Sequence, residues 1–264
     1  MDENKELIVI DGGSTDGTVE ILKKYSQYLA YWVSEKDKGQ TDAIKKGLVK
    51  CTGEIFNWIN SDDRLSKGAL KMVSEIYVNE NSPDLIAGNI YRFNERNEKV
   101  LHQHINYWNN VSKTMGFGQM CQPGMFYKTS RIREIGLNTD MHYSMDVDLY
   151  FRFNLLLKAT KVSYTNEVLA EFRVHSFSKT GLEGEKKIDS LFFNERKKIF
   201  SYFAELLNDT ISKRKLLLLG TQLTFDSLKV PFMEVSTDKK KLFKKSLNYF
   251  LLENLIQGLF EFDK

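Results

Sequence analysis

Short apolar runs alternate with amphipathic stretches in the first half of the chain: "LIVI", "TVEILKKYSQYL", "AYWVSE", "TDAIKKGLVK", "EIFNWI", "GALKMVSEIYV" and "DLIAGNIYRF". Parallel strands need a crossover between them, and an amphipathic helix supplies one. The alternation therefore predicts an α/β fold, a mostly parallel sheet with helices on both faces. In such sheets ligands sit beyond the carboxyl ends of the strands, and the polar clusters of this chain fall at those ends. From about Arg92 to Val174 the pattern is less regular and predicts antiparallel strands plus the helix "DVDLYFRFNLLLKA". From Glu183 onward it turns helical, interrupted only by Pro231, which places a soft boundary near residue 182 between a first domain, 1–182, and a helical region, 183–264.

Several classes are excluded early. The 38 basic and 35 acidic residues leave a net charge of +3, without the one-sided excess of a general nucleic-acid binder. Two cysteines, Cys51 and Cys121, make neither a disulfide framework nor a four-ligand zinc site, and buried free thiols suit a reducing cytosol. No apolar stretch approaches the roughly 20 residues that span a bilayer. The charged opening "MDENKE" is unlike a signal peptide.

Five polar clusters carry the candidate chemistry. In "IDGGSTDGT", Asp11 ends a strand, Gly12 and Gly13 allow close backbone approach, and Ser14 or Thr15 is placed to cap the next helix. No Gly-Lys-Ser/Thr follows, so it is not a P-loop. In "SEKDKGQTDAIKKG", Lys38 and Gly39 can meet phosphate, and Asp42 sits in a first helical turn; an ordinary solvated loop is the alternative. In "NWINSDDRL", the adjacent Asp62 and Asp63 offer hard oxygen ligands for Mg²⁺ or Mn²⁺, with helix capping as the competing role. "HYSMDVDLYFRF" brings Asp146 and Asp148 to the start of a helix; Asp148 reads as a dipole partner and Asp146 as the candidate for chemistry. "FRVHSFSKT" sets His175 and Lys179 in a polar loop, suited to a metal or a diphosphate.

Taken in order, "IDGGSTDGT", "WVSEKDKGQTDAIKKG", "CTGEIFNWINSDD", "QPGMFYKTSRIREIG" and "YSMDVDLYFRF" resemble the family 2 glycosyltransferases of bacterial and archaeal polysaccharide assembly, over about residues 5 to 180. The resemblance implies the GT-A nucleotide-sugar-binding fold. It sets Asp11 at the nucleotide, with Gly12 beside it, Lys38, Gly39 and Asp42 in the nucleotide-side loop, and Asp62 near the ribose. Asp63 would hold Mn²⁺ or Mg²⁺ on the diphosphate, His175 would reach the metal or diphosphate, and Lys179 the diphosphate. Gln122 and Pro123 would lie beside donor sugar and acceptor, and Asp146 would act as general base in an inverting displacement. The partners implied are a nucleotide-sugar donor, a uridine diphosphate sugar above all, and a saccharide or lipid-linked saccharide acceptor, with the chain in the cytoplasm.

Two positions depart from the family pattern: Gly12 stands where a second acid is frequent, and Met145 precedes Asp146 where an acidic pair is frequent. In the family the "IDGGSTDGT" strand is the second one, whereas nine residues precede Ile10 here. The expectation is a truncated gene model, a fragment, a split protein or a degenerate copy. Near the other end, "DKKKLFKKSLNYFLLENLIQGLFEF" is a basic amphipathic helix that would rest on the inner face of the membrane, pack on the catalytic domain or pair with a second copy; packing is the favoured reading. Against the glycosyltransferase stand two alternatives, a non-catalytic nucleotide-binding scaffold and a nucleotidyltransferase.

Overall fold

The computed structural model describes residues 4–104, 120–156, 161–175, 194–199 and 201–203. Strands β1 (Ile8–Asp11) and β2 (Tyr31–Ser34) pair in parallel across the crossover helix α1 (Thr18–Tyr25), and form a two-stranded sheet of their own. The second sheet contains β3 (Ile55–Phe56), β4 (Arg64–Leu65), β5 (Leu85–Phe93), β6 (Lys99–His102), β7 (Met125–Lys128) and β8 (Val162–Arg173). Its order is β3-β7-β5-β8-β4, with β6 also on β5. β5 and β8 run parallel; the other pairs are antiparallel. The sheet is thus mixed, because connections such as the tight Asn94–Asn97 turn between β5 and β6 can serve only antiparallel neighbours.

Strand β5 divides the core. Successive side chains point to opposite faces, so Leu85 and Ala87 join one apolar cluster and Ile86 another. On the first face, helices α2 (Gln40–Lys50) and α5 (Met145–Leu156) contribute Leu48, Leu149 and Phe153, and α4 (Thr129–Ile135) contributes Ile132, around Phe56, Trp58 and Tyr127. On the second, α3 (Ala69–Asn79) lays Ala69, Val73 and Tyr77 against Ile86, Phe126 and Leu169. Each such fully buried Leu, Ile or Phe stabilises by roughly 1.5–3 kcal/mol. The smaller sheet is tied in at its start, where the Glu6 carboxylate accepts the amides of Thr52 and Gly53, each at 2.6 Å.

Two local expectations change. The helix after β1 begins at Thr18, where Asp16 accepts the Thr18 amide at 3.2 Å and its hydroxyl at 2.7 Å; Ser14 is drawn to Asp11 instead. The run "EIFNWI" yields only a two-residue strand, since the Asn57 side chain donates to the carbonyls of Pro123 (3.1 Å) and Met125 (2.8 Å) in place of a continuing ladder. Both cysteines are buried and free. Among the described residues, no helix is long and apolar enough to cross a membrane. Lys179, the boundary near 182 and the basic amphipathic segment 238–262 lie outside the described residues.

Candidate active site

Asp11 is the last residue of β1, and the parallel register sets it opposite Ser34, the last residue of β2. That register brings the Ser34 hydroxyl to its carboxylate at 2.6 Å; the Ser14 hydroxyl (2.5 Å) and the amides of Ser14 (2.9 Å) and Gly13 (3.1 Å) complete the shell. The two hydroxyl donors in particular hold the Asp11 pKa down to about 2. A Cβ at Gly12 would lie 2.8 Å from a carboxylate oxygen of Asp37, so a larger residue there would make that side chain shift.

The first turn of α2 is a junction. Gly39 precedes it at φ +116, a backbone region that L side chains rarely adopt, and a Cβ at Gly39 would come 3.2 Å from His142 Nδ1. Gln40 Nε2 donates to Asn60 Oδ1 at 2.5 Å, and Thr41 Oγ1 donates to the Met141 carbonyl at 2.8 Å. One helical turn therefore reaches both the acidic pair and the loop that leads into α5. Asp42 closes this loop by accepting the Lys38 amide at 3.2 Å and facing Lys46 at 3.6 Å, while the Lys38 side chain is exposed.

Antiparallel pairing of β4 with β8, Arg64 opposite Glu171, carries the end of β8 to the acidic pair. There His175 Nε2 lies 3.0 Å from Asp62 Oδ2, and Asp63 accepts the Arg173 amide at 2.9 Å and the Asn60 side chain at 3.0 Å. Burial is the main cause that pushes the Asp63 pKa up to about 6, opposed by the Arg173 amide and assisted by the charge on Asp62. Among the described residues, no group of three or more His, Cys, Asp or Glu is arranged to hold a metal ion. The ligand types, two adjacent carboxylates and an imidazole, nonetheless fit a divalent cation such as Mn²⁺ or Mg²⁺.

Asp146 stands in the first turn of α5, densely surrounded by protein yet with part of its surface open, and accepts the Val147 amide at 2.9 Å. Burial raises its pKa, against the pull of that amide and of the Arg196 charge. Asp148 pairs with Arg152 at 2.8 Å, as its position in a helix suggests. Gln122 donates to the Trp58 carbonyl at 2.8 Å, which ties the Gln122–Gly124 turn to the segment leading into the acidic pair. Gln40, Thr41, Asn60, Glu195 and Arg196 enter the site's framework without having been singled out in the sequence; their partners lie far along the chain, so no local pattern marks them.

The model of the family "Glycosyl transferase family 2" matches residues 1–133, just over half of the 264-residue chain. The chain belongs to this family. Among named relatives of this family 2 member, glycosyltransferase GlyA of Streptococcus pneumoniae serotype 4 is 25% identical over 207 residues, 72% of this chain and 29% of that protein. The chain thus spans less than a third of that relative. S. aureus TarS 1-349 in complex with UDP-GlcNAc superposes with a TM-score of 0.56 at 19% identity, covering 81% of this chain and 62% of that one. Mannosyltransferase PcManGT from Pyrobaculum calidifontis, in complex with GDP-Man and Mn²⁺, does so at 0.50 with 13% identity over 83% and 60%. The fold of this family 2 chain is that of the GT-A glycosyltransferases.

Proposed function

We propose that the protein is an inverting, metal-dependent glycosyltransferase that moves a sugar from a uridine diphosphate sugar to a hydroxyl of a polysaccharide or glycolipid acceptor. The observation that carries this reading is the junction at the first turn of α2, where Gln40 bonds to the Asn60 side chain beside the acidic pair and Thr41 to the loop before Asp146. A donor diphosphate and a base for the acceptor need to be held in one rigid frame, and this turn supplies it.

In this reading Asp11 and the loop around Lys38 and Gly39 face the nucleotide, Asp62 the ribose, and Gln122 and Pro123 the sugar and acceptor. Asp63 and His175 would hold Mn²⁺ or Mg²⁺, which when bound stabilises negative charge on the departing nucleoside diphosphate. Asp146 takes the proton of the acceptor hydroxyl as that oxygen attacks the anomeric carbon; the bond from that carbon to the diphosphate oxygen breaks, and the configuration inverts. A carboxylate with a raised pKa is a better proton acceptor than an ordinary aspartate. The UDP-GlcNAc of one solved neighbour and the GDP-Man and Mn²⁺ of the other support a nucleoside diphosphate sugar as the donor class and a divalent metal.

Asp146→Asn tests the reading. It should cut release of UDP from a UDP-sugar by about 10²- to 10⁴-fold while calorimetry still registers UDP binding in Mn²⁺. Undiminished turnover in this variant would sink the assignment of Asp146.

A further inference from the structure

A buried glutamate is costly unless its oxygens are matched, and Glu195 is buried with both of them engaged. One oxygen accepts the His142 amide at 2.8 Å; the other accepts the amides of Tyr143 and Ser144, also at 2.8 Å. These three consecutive N–H groups lie immediately ahead of α5, where a helix ordinarily finds a local cap. Here the acceptor comes instead from the helical residues 194–199. The same loop is fastened to α2, through the Met141 carbonyl on Thr41 and the His142 ring beside Gly39. The neighbouring Arg196 favours the ionised form of Asp146, and Asp146 favours the charged form of Arg196. One short segment thus holds both the backbone that leads to Asp146 and a charge that acts on it.

We propose that Glu195 is a positioning residue for sugar transfer: through the three amides of residues 142–144 it fixes the start of α5, and with it the Asp146 carboxylate, against the nucleotide-side loop at Gly39 and Thr41. This rests on the reading of Asp146 as the base. It makes residues 194–199 part of the active-site framework, although the sequence pattern assigns them to the helical C-terminal region.

The test uses the full chain, with amide hydrogen exchange and with release of UDP from UDP-glucose, UDP-galactose or UDP-GlcNAc in Mn²⁺. In the unmodified protein the amides of 142–144 are expected to exchange slowly. Glu195→Gln keeps the size but replaces one accepting oxygen by an NH₂ group. It should speed exchange at 142–144, lower kcat about 10- to 100-fold and leave the KM for the sugar nucleotide within about twofold. Should that variant not fold, Glu195→Asp takes its place, because the shorter side chain keeps the charge and withdraws from the amides. Fast exchange at 142–144 in the unmodified chain, or an unmodified kcat in the Glu195 variant while Asp146→Asn is inactive, overturns the inference and leaves the transfer reading standing. Full activity in Asp146→Asn overturns the base assignment, and the inference falls with it. If no UDP is released by any form, the transfer reading fails on its own, and unchanged exchange at 142–144 in the Glu195 variant overturns the anchoring.

Discussion

Asp11 and Asp63 are both aspartates at the rim of the candidate site, and both are only 8% exposed, yet their acidities move in opposite directions. Asp11 is met by two hydroxyls and two amides, so its ionised form is better satisfied in the fold than in water and its pKa drops to about 2. Asp63 is pushed up to about 6 mainly by burial, with the like-charged Asp62 adding to the rise and one backbone amide and one side-chain amide opposing it. Equal exposure does not fix the sign: burial is the main cause at Asp63, whereas at Asp11 the hydroxyl bonds outweigh it. Donors from its own turn and from Ser34 of β2 saturate the Asp11 carboxylate, while at Asp63 desolvation exceeds what its donors return.

The comparison can be broken most forcefully at Asp63. Asp63→Ala should abolish the Mn²⁺-dependent part of UDP binding, a loss of at least about 100-fold in affinity, measured by calorimetry with and without the metal. Equal affinity in the variant would mean that the acidic pair holds no ion. At Asp11 the expected damage is to the fold: Asp11→Ala strands the Ser14 and Gly13 amides and should lower stability by about 1–3 kcal/mol, read as a shifted urea midpoint with unchanged slope. A variant as stable as the unmodified chain would show that water serves those donors equally well.

The smallest effect sharpens the electrostatic half. Because the folded pKa of Asp11 lies below its unfolded value of 3.8, the unfolded chain binds the proton first, and the stability Asp11 contributes is present above about pH 4 and lost as pH falls toward 2. Ser34→Ala removes one of the two hydroxyl donors and should raise the Asp11 pKa, moving that loss to higher pH. Carbon-detected titration of the Asp11 carboxyl in both proteins measures it; coincident titration curves would remove Ser34 from the account.

Much of the fold was legible because apolar periodicity reports burial directly. The runs "LIVI", "AYWVSE" and "DLIAGNIYRF" became β1, β2 and β5, and the stripes of "TDAIKKGLVK" and "GALKMVSEIYV" became α2 and α3. The strand in "EIFNWI" shortened because Asn57 spends its side chain on carbonyls of a distant turn, an interaction no window around residue 57 contains. Asp11 could be read as a strand-ending acid. Its Ser34 partner could not, since only the register of two parallel strands sets them side by side.

By itself the sequence determined which residue types stand together along the chain: the glycines and Asp11 at the end of a strand, the adjacent Asp62 and Asp63 beyond the run "EIFNWI", and Asp146 at the mouth of a helix. Those are local matters, fixed by backbone preference and by the period of apolar residues. Only the tertiary structure decided which of them meet. The β4–β8 pairing brought His175 to Asp62, the first turn of α2 joined Asn60 to Met141, and the helical residues 194–199 delivered Glu195 to the loop before Asp146. Contacts between residues so far apart in the chain depend on sheet order and helix packing, which no local pattern encodes.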